Sequence, residues 1–140
     1  MGWKQDVEKR LERARKAWWR VKSQLKGCKM SKKMQARVVK TCVESGLLFD
    51  CQARVWQVRE MKRLQVFMDR CYRHVWSRRT GPPLMQMERE GKNMADVRRE
   101  LGVRSVRWKI EKRVLERIGH VMRMSGERMT KAVVLGWLKE

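Results

Sequence analysis

Proline is nearly missing from this chain, with two residues in 140, adjacent at Pro82 and Pro83. Proline removes a helical hydrogen bond and clashes with the preceding turn, so its absence leaves both flanks free to be helical. Acidic residues are few: 15 Asp and Glu stand against 36 Lys and Arg. The net charge of +21 cannot be neutralised inside the chain. It must be solvated or matched by a polyanion. The aspartates are Asp6, Asp50, Asp69 and Asp96, and no two adjoin. The chain therefore lacks the neighbouring carboxylates that hold two metal ions in a phosphoryl-transfer centre. No Gly-Lys-Ser or Gly-Lys-Thr follows a strand-like segment, which excludes a phosphate-cradling loop of that type. No apolar run approaches the length of a membrane-spanning helix. No alternating strand pattern persists beyond a few residues, and there is no internal repeat.

Cys28, Cys42, Cys51 and Cys71 lie at wide spacings. Free thiols in an intracellular reducing compartment, the nucleus or an organelle are expected, rather than a disulfide framework. The basic first segment carries Asp6, Glu8 and Glu12, which argues against an organellar transit peptide. Asp6 stands where N-myristoylation prefers Ser or Thr.

What is present points to a folded helical domain. Apolar residues make up 42% of the chain and seven are tryptophan, a composition that a disordered basic tail lacks. Val7, Leu11, Ala14, Trp18, Val21 and Leu25 recur at intervals of three and four, one apolar seam on a helix that Gly27 stops. Ser31 can cap a second helix through Val38, Val39 and Cys42 toward Leu48, with Gly46 kinking or ending it. Met61, Leu64, Met68, Cys71 and Val75 form another seam, widened by Phe67 and Trp76. The break is SRRTGPP, and Thr80 to Gly91 is expected as a loop with little structure. Beyond it, Asn93 can cap a helix from Met94 to Leu101, which Gly102 ends. Ser105 can cap the next, whose face carries Val106, Ile110, Val114, Ile118 and Val121. A last helix is expected through Met129, Val133, Leu135 and Leu138. The predicted fold is all-α: five or six amphipathic helices in two helical hairpins. Residues 1–77 form an N-terminal hairpin region, 78–92 a Pro/Gly loop and 93–140 a basic C-terminal region, either apart or as one domain.

The basic residues are the main functional candidates. Lys26, Lys29, Lys32 and Lys33 cluster around the first turn, and Arg78 and Arg79 enter the Pro loop. Arg98, Arg99, Arg104, Arg107, Lys109, Lys112 and Arg113 follow within two short helices. Such runs can reach successive phosphates; the plain alternative is that they are solvated faces of amphipathic helices. The more than twofold basic excess favours phosphate binding, and nothing specifies a base sequence. Trp18, Trp56 and Trp76 fit packing positions, Trp19 is less determined, and Trp3, Trp108 and Trp137 are freer to stack on bases or line an interface. Cys71 and His74 form a C-x-x-H pair that Cys42 and Cys51 could complete. Their nine-residue separation is unlike a zinc knuckle, and no metal site or cofactor is expected. His120 has no nucleophile or carboxylate placed to form a dyad, and Gly119 beside it is expected to admit a neighbouring helix. Nothing in the chain supports an enzyme.

The segments Leu64–Arg73 (LQVFMDRCYR), Val97–Ser105 (VRRELGVRS) and Leu115–Met124 (LERIGHVMRM) together resemble the region downstream of the palm in reverse transcriptases of non-LTR retrotransposons. In that family a helix similar to LxxFxxRCLR precedes a GIPS-like segment, matched by Gly102 to Ser105, and then an LGHVLRM-like helix, matched by Gly119, His120 and Val121. Leu47, Leu48 and Phe49 stand at a family LLYG, and Trp56 near its ETW. The resemblance covers roughly residues 34 to 124. The family's tryptophan before Leu-Gly-His is Arg117 here, the tyrosine and glycine of LLYG are Phe49 and Asp50, and extra sequence is inserted around Thr80 to Gly91. The family's Cys-His knuckle, expected further downstream, has no counterpart. The resemblance implies the nucleic-acid-handling end of such a polymerase without its catalytic palm.

The expected function is that of a non-catalytic basic module that holds RNA or an RNA–DNA hybrid by its backbone. The alternative is a structural helical subunit whose basic surface docks on RNA or acidic proteins of a larger ribonucleoprotein assembly. An anionic membrane surface is a third candidate, resting on the basic first helix alone.

Overall fold

The computed structural model describes residues 2–77 and 83–124, together with Ala132, Val133 and Gly136. The fold is all-α, and none of the described residues forms a strand. Helix α1 (Gly2–Leu25) buries its whole seam, from Val7 through Leu11, Ala14, Trp18 and Val21 to Leu25. Gly27 then takes a φ of 77°, a left-handed value that side chains resist, and turns the chain back. Ser31 caps α2 (Lys32–Val39), its hydroxyl accepting the Met34 N–H at 3.3 Å. This helix continues through a π turn (Lys40–Glu44) into one last α turn, α3 (Ser45–Leu47). A π turn fits an extra residue into a helix, a feature often found at functional positions; here Val43 and Glu44 within it are both buried.

A short 3₁₀ turn (Cys51–Ala53) leads to α4 (Val58–Trp76). The Glu60 carboxylate accepts the Gln57 N–H at 3.0 Å and secures the start of α4. Leu64, Met68, Cys71 and Val75 are buried with Tyr72 and Trp76, while Met61 and Phe67 pack at the core's edge. Helix α4 is the central element, since α1, α2 and the three helices that follow all pack on it. Leu64 is fully buried. Leu64→Ala should therefore cost about 2–5 kcal/mol through lost transfer energy and the cavity left behind. Thermal melts of variant and wild type that overlap would show that the seam is not core.

The segment expected as a loop is helical over much of its described length. It contains α5 (Pro83–Glu90), anchored by buried Met87. Proline suits a first helical turn, because its φ is preset and the missing N–H would be unpaired there anyway. Next come α6 (Met94–Leu101) and α7 (Val106–Met122). Asn93 and Asp96 form a reciprocal cap on α6: the Asn93 side chain accepts the Asp96 N–H at 3.0 Å, and the Asp96 carboxylate accepts the Asn93 N–H at 3.1 Å. Gly102 ends α6 with a φ of 71°, and Ser105 caps α7 by accepting the Trp108 N–H at 3.2 Å. The two hairpins share one core. Val97, Leu101, Val106 and Ile110 join the same buried cluster as Val7 and Leu64. Of the last predicted helix, Ala132, Val133 and Gly136 are helical; Met129, Leu135 and Leu138 lie outside the described residues.

Candidate nucleic-acid interface

The basic residues singled out by sequence divide into three groups. Lys26, Lys29, Lys32 and Lys33 are exposed around the turn between α1 and α2. Lys32 also lies over the Trp76 ring, 5.5 Å from its centroid. Arg99 on α6, Arg104 in the turn that follows, and Arg107 and Lys112 on α7 are exposed. Trp108, 43% exposed, lies between Arg104 and Lys112, each 5.2 Å from its ring centroid. Arg107 pairs with Glu111 at 2.7 Å and Lys112 with Glu116 at 3.8 Å, which partly neutralises this face. Arg78, Arg79, Trp137 and the side chain of Trp3 lie outside the described residues.

Three further candidates are tied into the fold: Lys109 and Arg98 turn inward, and Arg113 is an exposed residue that reaches back to the backbone. Lys109 donates to both oxygens of buried Glu44, 2.6 Å from Oε1, and keeps 12% of its side-chain exposure. Burial pulls its amine below the usual lysine range, and the Glu44 carboxylate only partly offsets this. The Tyr72 hydroxyl completes the cluster, 3.3 Å from Glu44 Oε2. Arg98 pairs with Asp69 at 2.7 Å, both groups mostly buried. Arg113 donates to the Leu48 carbonyl at 2.6 Å and satisfies the end of α3. A buried charge must be paired, so Lys109 is not available to a phosphate.

A further basic site was not anticipated from the sequence. Helices α1 and α4 flank a groove of about 750 Å³. Leu11, Trp18, Val66 and Phe67 supply its apolar surface. Its cations are Arg15 and Lys22 from α1, and Arg59, Lys62, Arg63 and Arg70 from α4; no carboxylate lines it. Trp19 completes the lining, 68% exposed, with the Lys22 ammonium 5.2 Å from its ring centroid. Arg63 is paired with Glu8, whose carboxyl is held below its usual range by that hydrogen bond. Among the described residues, Arg15, Lys22, Arg59, Lys62 and Arg70 form no ion pair.

The groove follows from helical periodicity. Residues 11, 15, 18, 19 and 22 of α1 form one stripe, and 59, 62, 63, 66, 67 and 70 of α4 form another. Positions three and four apart share a face, whereas adjacent residues diverge. The signal that could have found the site was this spacing of cations and aromatics. Lys26, one turn beyond Lys22, extends the same stripe past the end of α1.

Cys71 is buried and its thiol is pushed up to about 12 by that burial, so it remains protonated at neutral pH. Cys42 is exposed, Cys51 is buried, and His74 meets Trp18 edge-on, 5.4 Å between ring centroids. No group of three or more His, Cys, Asp or Glu among the described residues could hold a metal ion. None of the described helices is long and apolar enough to cross a membrane. His120 is exposed, and a Cβ on Gly119 would meet the guanidinium of Arg123, just past the end of the same helix, at 3.4 Å. Among the described residues, then, Gly119 does not mark the close approach of another helix. No family model, curated protein or solved structure matches the chain. Fold and groove together define a basic, all-helical domain whose described residues include a cleft lined by cations and aromatic side chains.

Proposed function

We propose that this chain is a non-catalytic basic module that binds RNA, or an RNA–DNA hybrid, through the phosphate backbone. The observation that carries the reading is the groove between α1 and α4, where six cations converge and no carboxylate enters. Like charges that share one groove repel one another, and a polyanion relieves that repulsion. The face around Trp108 is a secondary contact, weaker because Glu111 and Glu116 share it. The similarity of residues 34–124 to the post-palm region of non-LTR reverse transcriptases supports the same reading. It suggests derivation from a retroelement polymerase segment. Phosphate contacts position a strand without reading it, so binding should be independent of base sequence.

Titration of the purified chain against a labelled RNA tests this. Affinity should fall steeply with salt, each phosphate contact contributing about 0.7 to the log–log slope on a single strand. Failure to bind RNA at low salt would refute the reading. Catalysis is tested separately by primer extension on a poly-ribo template with Mg²⁺ or Mn²⁺. No incorporation is expected, and template-dependent extension would overturn the non-catalytic assignment. The structural-subunit reading draws on Phe49, Val55 and Val58, each more than 70% exposed. Apolar residues this exposed suit a protein contact, and under that reading free RNA binds weakly while one defined partner is retained.

A further inference from the structure

We infer that the α1–α4 groove takes a single strand, with one unpaired base stacked on Trp19. The inference rests on the nucleic-acid reading above and narrows it from polyanion to single strand.

Three features of the groove lead there. First, Trp18 and Trp19 adjoin but part ways: Trp18 is buried against the core, and Trp19 is 68% exposed. The hydrophobic effect disfavours leaving an indole in water. Trp19 adds little to the fold, and its exposure leaves it accessible to a ligand. Second, cations as well as apolar side chains surround that ring. Lys22 lies 5.2 Å from its centroid, and Arg15, Arg59 and Arg70 line the same groove. A partner must therefore be anionic and also offer a flat apolar face. An unpaired nucleotide has both in one unit. Third, the α4 stripe from Arg59 to Arg70 is long enough for a short run of nucleotides. At ~1.5 Å per residue it extends roughly 16 Å, the length of about five nucleotides at ~3.4 Å each. A duplex cannot use Trp19, because its bases are stacked on one another and hidden from a ring on the protein. An acidic helical peptide or an anionic bilayer would match the charge but would leave the ring without a planar partner.

The test uses the full chain and labelled 12-nucleotide probes in fluorescence anisotropy at one fixed salt concentration. The probes are single-stranded RNA, single-stranded DNA of the same sequence, and the RNA duplex. Wild type should bind a single strand more tightly than the duplex. Trp19→Ala should weaken single-strand binding by roughly 5- to 150-fold, the span of one base–aromatic stack. It should leave duplex affinity unchanged, and Trp19→Phe should restore most of the loss. The slope of affinity against salt should not move in either variant, since no charge is removed. Trp19 is exposed, so both variants should melt with wild type, which separates stacking from folding. The proposal stands whichever sugar binds more tightly. Equal affinity for single strand and duplex, or a Trp19→Ala variant that binds a single strand as wild type does, overturns it and leaves the broader reading intact. No affinity for any of the three probes sinks both. Preference for vesicles containing an anionic lipid, or for an acidic helical peptide, over all three probes assigns the groove elsewhere and also overturns it.

Discussion

Glu44→Ala should destabilise the protein by about 3–5 kcal/mol, the usual cost of stripping one partner from a buried ion pair. Glu44 is 2% exposed, and its carboxylate receives the Lys109 ammonium and the Tyr72 hydroxyl. The change would leave an ammonium and a phenol without their acceptor in the interior, and desolvated polar groups without partners are costly. The pair ties the π turn (Lys40–Glu44) to α7, so its loss should also loosen the contact between the two halves of the chain. A control separates charge from shape. The double variant Glu44→Leu with Lys109→Met removes both charges while keeping most of the volume, and it should recover most of the lost stability. Urea midpoints at constant slope give the comparison. A Glu44→Ala variant within about 1 kcal/mol of wild type would mean that water reaches the pair.

The second large effect concerns binding. Changing Lys22, Arg59, Lys62 and Arg70 together to Gln removes four groove cations that form no ion pair among the described residues. The log–log salt slope on single-stranded RNA should fall by about 2.8, four contacts at about 0.7 each. If the lost contacts contribute little at 1 M salt, affinity at 0.1 M should drop roughly several-hundredfold. Stability should hold or rise, because self-repulsion is relieved. Changing Arg104, Arg107 and Lys112 to Gln should reduce the slope less, since Glu111 and Glu116 already share that face. The opposite ranking in the same titrations would move the interface to α7.

Much of the fold was legible because its determinants are local. Ser31, Asn93 and Ser105 cap helices as their side-chain chemistry predicts, and Gly27 and Gly102 stop them with positive φ. The seams of α1 and α4 are buried along nearly their whole predicted length, because helical period alone determines which residues share a face. Helix α5 was hidden by its flanks, where Gly and Pro suggested a loop although the residues between them suit a helix. The site was less legible because charge density along the chain differs from charge density in space. In Arg98-Arg99 one guanidinium turns inward to Asp69 and the other stays at the surface, paired with Asp96. In Lys112-Arg113 the second residue reaches the Leu48 carbonyl. The partners of Lys109 and Arg113 each lie 65 residues away, beyond any local pattern. The groove combines cations from two helices that are distant in sequence, so no single run of Lys and Arg marks it.

Ultraviolet cross-linking of a single-stranded RNA to the full chain, followed by mapping of the modified peptides, tests the central claim most directly. Adducts are expected on α1 between Arg15 and Lys22 and on α4 between Arg59 and Arg70, with Trp19 the foremost aromatic acceptor. Adducts confined to α7 around Trp108, or spread without preference over the basic surface, would contradict the assignment of the groove as the nucleic-acid interface.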